Sequence, residues 1–259
     1  MKNATVYAKK LKTLLSALKK RFSVPTLPAD LTHLDHLVLS VLRTGTTYDL
    51  AMEGLRTLRE EFVDFNEMRV APPKDIADNW GSDMPQARVK AELLTLSLNR
   101  VFDHGKELGF NYLADFGKRE LKAHLRENIG LPSYSEAYLT LYVFGGHAVP
   151  VDENMVQKLK AEDMVHQDAD VEEVRALLER TVTAKEARET YELLAEYAAQ
   201  EEKSKAAKRK LAGKTRHDAG DEDDSDDEDD SPRPAVKSSP EPKPKKPVKK
   251  PEKPSKHTR

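Results

Sequence analysis

The chain contains no cysteine. Disulfides, thiolate zinc sites and cysteine-ligated iron-sulfur clusters are excluded with it. Long apolar runs are missing as well: no stretch reaches the roughly 18 residues that a membrane-spanning helix needs. Lys2, Lys9, Lys10 and Lys12 stand near the N-terminus without the apolar core of a signal peptide, so a soluble, intracellular protein is expected. Alternation at period two is nowhere sustained, which leaves no sheet to read and predicts an all-α protein. From Glu201 onward almost nothing is apolar, and eight of the fifteen prolines lie beyond Asp230. Those residues have nothing to bury, which leaves about 200 for a globular core, an ample number.

What charge there is falls into blocks. Residues 1–200 hold 26 Lys+Arg against 31 Asp+Glu, a net of −5, and residues 201–259 hold 17 against 14, a net of +3. A mildly acidic body argues against broad nucleic-acid binding by its whole surface. The tail divides further: Lys203–Arg216 carries seven cations and no acid, Asp218–Asp230 ten acids, and Arg233–Arg259 ten cations with Lys-Pro repeats. Such blocks repel and extend, so residues 201–259 are expected to form a disordered tail whose cationic ends bind polyanions. The acidic block would compete for the same cations.

The body reads as a series of helices. Val6, Leu11, Leu14, Leu15, Leu18 and Phe22 recur at helical spacing among lysines, and predict a basic N-terminal helix with a linker, residues 1–30, packing on the rest. Leu34, Leu37, Val38, Val41 and Leu42 mark a strongly apolar helix that runs into Arg43-Thr44-Gly45-Thr46-Thr47. Gly45 breaks it, and a threonine can cap the next helix. Pro72-Pro73 opens a short helix that Trp80-Gly81 closes, and a longer one from Gln86 to about His104 is expected to bury Val89, Leu93, Leu96 and Val101. Arg88 and Lys90 sit in its first turns, where cations oppose the helix dipole and an anion would relieve them.

The rest of the chain is organised around residues 130–154, GLPSYSEAYLTLYVFGGHAVPVDEN. A Leu-Pro turn leads into an apolar helix, Gly145-Gly146 ends it, and Asp152 precedes another helix, where a carboxylate ordinarily serves as a cap.

In order and spacing, these features resemble the helix-hairpin-helix DNA glycosylase superfamily, in particular its endonuclease III-like branch, over residues 31–200. LPSYSEAY stands where that family shows an LPGVGxKTA hairpin, and PVDEN where it shows VDTH. The resemblance implies a bilobal all-α fold and double-stranded DNA as partner, with Asp152 as the catalytic carboxylate that stabilises a cation-like sugar while a flipped base leaves. It implies DNA contacts by Ser133, Tyr134 and Ser135 of the hairpin, by Thr44 and Gly45 where a Gln-Asn pair often wedges the duplex, and by Gln86, Arg88 and Lys90. Tyr138, Tyr142 and His147 are the candidates for a base pocket. No metal, cofactor or iron-sulfur cluster is expected, and the location would be cytoplasmic and DNA-associated.

The departures are equally specific. Ser133 and Ser135 replace the two hairpin glycines, so a turn of positive φ would cost about 1 kcal/mol or more at each. Aligned forward from Leu131-Pro132, the family's nucleophilic lysine falls on Ala137; aligned back from Asp152, it falls on Tyr134. No lysine lies between Lys122 and Lys158, which speaks against lyase chemistry. A monofunctional N-glycosylase and a catalytically degenerate DNA-binding or scaffolding protein both fit, and a helical protein-interaction module is a third reading.

Overall fold

The computed structural model describes residues 3–199, so the expectations about residues 201–259 lie outside the described residues. Among the described residues there are eleven α-helices and no strand. These are α1 (Ala4–Arg21), α2 (His33–Leu42), α3 (Tyr48–Glu61), α4 (Phe65–Val70), α5 (Pro73–Trp80), α6 (Ala87–Gly105), α7 (Lys118–Ala123), α8 (Ser133–Tyr142), α9 (Glu153–Ala161), α10 (Val171–Thr181) and α11, residues 187–199.

Two lobes emerge from the way the helices pack together. In one, α6 packs on α4 and α5, and α5 on α3; in the other, the N-terminal α1 lies against α10, and α10 against α9. Between them runs α2, in contact with α3, α6 and α8. Its burial is nearly all-round, taking in Asp35, Leu37, Val38, Leu39, Ser40, Val41 and Leu42, as befits a central helix. Thr32 and Asp35 form a reciprocal capping box at its start, and Arg59 of α3 grips the same carboxylate at 2.9 and 2.6 Å. Burial alone would raise the Asp35 pKa, but hydrogen bonds from Arg59 and Thr32 more than offset it and hold the carboxyl below its ordinary value.

On α1, Leu11, Leu15 and Leu18 are buried as the periodicity predicts. Its basic face is partly neutralised, since Lys10 pairs with Asp163 at 2.5 Å and Lys19 with Glu189 at 2.6 Å. The expected inward face of α6 holds at Val101 but not at Val89 and Leu96. Val89 and Leu96 are exposed, while Lys90, Ala91, Leu94, Ser97, Leu98 and Val101 turn inward. Polar groups take those inward positions because they find partners there: Ser97 Oγ donates to Leu93 O, and the Lys90 ammonium to Leu42 O.

The hairpin is built on a glycine other than the expected ones. After α7 the chain makes a π turn over His124–Asn128, and Gly130 then adopts φ +76° while Leu131 N–H donates to Leu125 O at 3.0 Å. This is a Schellman-type helix end, which calls for a left-handed residue at that point. A Cβ on Gly130 would also lie 1.9 Å from Arg100 Nη1, which the flexible arginine can vacate, so it is the left-handed backbone that calls for glycine. Ser133 and Ser135 are ordinary residues of α8 and neither has a positive φ, so the expected cost at the serines does not arise.

Candidate functional site

The site is assembled around the turn that ends α2. Three elements hold its last carbonyls and first amides: α8 through Ser135 Oγ, which donates to Ser40 O at 2.9 Å; α6 through Lys90 Nζ, which donates to Leu42 O at 3.0 Å; and the cap of α9 through Asp152, while Glu192 of α11 accepts from the Arg43 side chain. Asp152 caps α9 with one oxygen, accepting from Met155 N–H at 2.9 Å, and with the other accepts from Gly45 N–H at 2.9 Å. Gly45 makes this possible by adopting φ +64°. Burial pushes the Asp152 carboxyl up from the ordinary aspartate value, opposed by the amides of Met155, Gly45 and Asn154 and by the charge of Lys90. A carboxylate desolvated in this way, yet held by backbone amides, is suited to stabilise positive charge nearby.

Beside the turn lies a buried polar-aromatic cluster. Arg43 forms a two-pronged pair with Glu192, both contacts at 2.8 Å, with side chains 2% and 0% exposed. Its guanidinium stands 4.9 Å from the centre of the Tyr191 ring. Tyr142 donates its hydroxyl to the same Glu192, and the Tyr134 and Tyr191 hydroxyls meet at 2.7 Å. Tyr138 stacks on Tyr142 with ring centres 4.5 Å apart. Desolvation raises the pKa of Tyr134, and the Arg43 and Asp152 charges act on it in opposite directions, which sets this hydroxyl in the field of the aspartate.

The hairpin mouth is occupied by side chains of its own protein. No side chain caps α8. The Ser133 hydroxyl donates to Glu172 of α10, and Arg175 donates to Ser133 Oγ at 2.8 Å and Ser133 O at 3.2 Å. Arg126 also reaches Glu172, at 3.0 Å, and Arg175 reaches the buried Glu136 at 3.1 Å. Two arginines thus face two carboxylates where a phosphate would approach the helix N-terminus.

The residues expected to act together are only partly brought together. Asp152, Thr44 and Gly45 converge at the α2 turn, with Tyr134 behind them. Gln86, with φ 55°, and Arg88, 3.4 Å from Glu92, are exposed at the start of α6. Three of the expected DNA contacts face inward: Lys90, Tyr134 and Ser135 are all buried, each with its polar atom engaged inside the protein. The three candidates for a base pocket lie in different surroundings. Tyr138 is fully buried, Tyr142 is tied to Glu192, and His147 is exposed on a loop. A cavity of about 400 Å³ lies elsewhere, between Leu31, Met52 and Arg59. Arg43 and Glu192 were missed as site residues. The signal was a charged residue directly before a Thr-Gly turn and another inside the run Tyr191–Leu194, where every neighbour is buried.

At the level of sequence, no family model and no curated protein matches the chain. Solved structures do. An endonuclease III trapped as a covalent intermediate with DNA superposes with a TM-score of 0.57 at 16% identity, over 73% of this chain and 84% of that one. The H. pylori 3-methyladenine DNA glycosylase MagIII, bound to 1,N6-ethenoadenine, gives 0.57 at 15% identity, over 74% and 98%. A thermostable thymine-DNA glycosylase gives 0.50 at 21% identity, over 74% and 87%. The chain has the helix-hairpin-helix DNA glycosylase fold. In this chain residues 130–132 form the turn that leads into α8, and Asp152 caps the next helix, α9.

Proposed function

We propose that the chain is a duplex-DNA-binding protein of the base-excision-repair glycosylase type, at most a monofunctional N-glycosylase acting through Asp152. The observation that carries this reading is the placement of Asp152: buried, held at both oxygens by backbone amides, and backed by a tyrosine where the family's lysine would stand on one alignment. In this reading the carboxylate faces the sugar as positive charge develops on it, and water completes the displacement. A Schiff-base step has no part in it, because no lysine lies between Lys122 and Lys158.

One further reading has specific support. The rings of Tyr138, Tyr142 and Tyr191 pack against one another close to the α2 turn and fill the space beside it, as would suit a DNA-binding or scaffolding protein that keeps the fold without the chemistry. A base-release assay over a panel of damaged and mismatched duplexes, run with wild type and Asp152→Asn, separates the two readings. Release that the variant abolishes supports the enzyme, and duplex binding without release supports the scaffold.

A further inference from the structure

Among the described residues, Lys90 is the one buried lysine, 4% exposed, and its partners are uncharged: Leu42 O at 3.0 Å and Met84 Sδ at 3.6 Å. An ammonium in such a place is costly to keep charged without an anion near it. The carboxylate at hand is Asp152. Lys90 grips the α2 turn at Leu42 from one side, and three residues on, Gly45 N–H grips Asp152 from the other. Thr46 Oγ1 donates to the same Leu42 carbonyl and tightens the turn between them. We infer that Lys90 is a positioning residue for the proposed chemistry, which fixes the turn that presents Gly45 to Asp152 and adds its positive charge to the backbone amides that hold that carboxylate.

The groups that face this pair are few. Asp152 lies in the field of Lys90 on α6, and its own charge acts on Tyr134 of α8; Asp152 is the charge that acts on Lys90; and Arg43 of the same turn is paired with Glu192. Burial pushes the Lys90 ammonium down to about 8, with Asp152 opposing the shift, so below that pH it carries its charge. Asp152→Asn is accordingly expected to lower the Lys90 pKa further. A helix-capping lysine with no electrostatic role would not behave in this way.

The inference rests on the reading of Asp152 as the acting carboxylate, but its test needs no DNA. In the full chain, ¹³C-labelled at aspartate, the Asp152 carboxyl signal is assigned by its loss in Asp152→Asn and followed against pH. Lys90→Met is expected to raise the Asp152 midpoint by about one unit, as loss of a nearby opposite charge does, and Lys90→Arg to leave it near wild type. In the wild type alone, the same signal should show a second, smaller inflection near the Lys90 titration, which covers the case of a methionine variant that does not fold. Equal Asp152 midpoints in folded wild type and Lys90→Met, or no second inflection in the wild type, would overturn the inference. Absence of base release by the wild type would instead refute the proposed chemistry and leave the titration result standing. Where release occurs, the acid limb of its pH profile is expected to move up in Lys90→Met by the same amount as the carboxyl midpoint.

Discussion

The Arg43–Glu192 pair joins two residues 149 apart in sequence and takes both charges out of water. Removing one partner strands the other, at a cost of about 3–5 kcal/mol, whereas replacing both by apolar residues of similar volume is far milder. Arg43→Met is therefore expected to lower the denaturation midpoint sharply, and Arg43→Met with Glu192→Leu to recover most of the loss. Additive losses in the double variant would contradict this account of the pair. The cap at Asp152 was legible in the sequence, because an aspartate before a helix is a local pattern. Arg43, Glu192 and Lys90 were not legible in their roles, since each is defined by a partner at least 48 residues away. Lys90 in particular read as a surface cation in the first turn of α6, and only the carbonyl at the end of α2 explains why it turns inward.

Among the elements, the hairpin departs furthest from expectation. Sequence reasoning placed its difficulty at Ser133 and Ser135, but the positive φ falls on Gly130, where the π turn after α7 ends. Gly130→Ala would meet the left-handed backbone while the Arg100 guanidinium moves aside, and a loss of about 1–2 kcal/mol in chemical denaturation is expected. Glu172 is the other distinctive part of this element. It pairs with both Arg126 and Arg175 at the mouth, so neutralising it leaves these cations with one carboxylate fewer, Glu136 and Glu179 remaining, beside the N-terminus of α8. Glu172→Gln is expected to bind duplex several-fold more tightly at low salt, with a salt slope steeper by about one phosphate contact. Glu61→Gln, the same charge change at the end of α3, should do neither; equal responses in the two variants would reduce the effect to net charge. The helix limits were well marked in sequence wherever a cap or breaker was local, as at Thr47, Pro72-Pro73 and Trp80-Gly81. The inward face of α6 was not, because Val89 and Leu96 are as apolar as the residues that are buried.

For the whole molecule, the chain returns on itself: α1 packs beside α10, and α2 runs between the lobes. Its fold was legible from the order of a Thr-Gly turn, a Leu-Pro hairpin and a Val-Asp, although identity to the solved glycosylases is only 15–21%. The charge division suggests a division of labour, with a body of net −5 presenting the site and the cationic blocks of residues 201–259 supplying affinity. Removal of residues 201–259 is expected to abolish most duplex binding at low salt; equal affinity of the shortened and full-length chains would refute that role for the tail. The central claim, that Asp152 carries hydrolytic chemistry on this fold, is met most directly by base release. Full-length wild type and Asp152→Asn are to be compared on a panel of lesion-containing duplexes with strand integrity monitored. The account predicts release of at least one base by the wild type, loss of about 100-fold or more in the variant, and uncut strands. Equal release by the two proteins would contradict it.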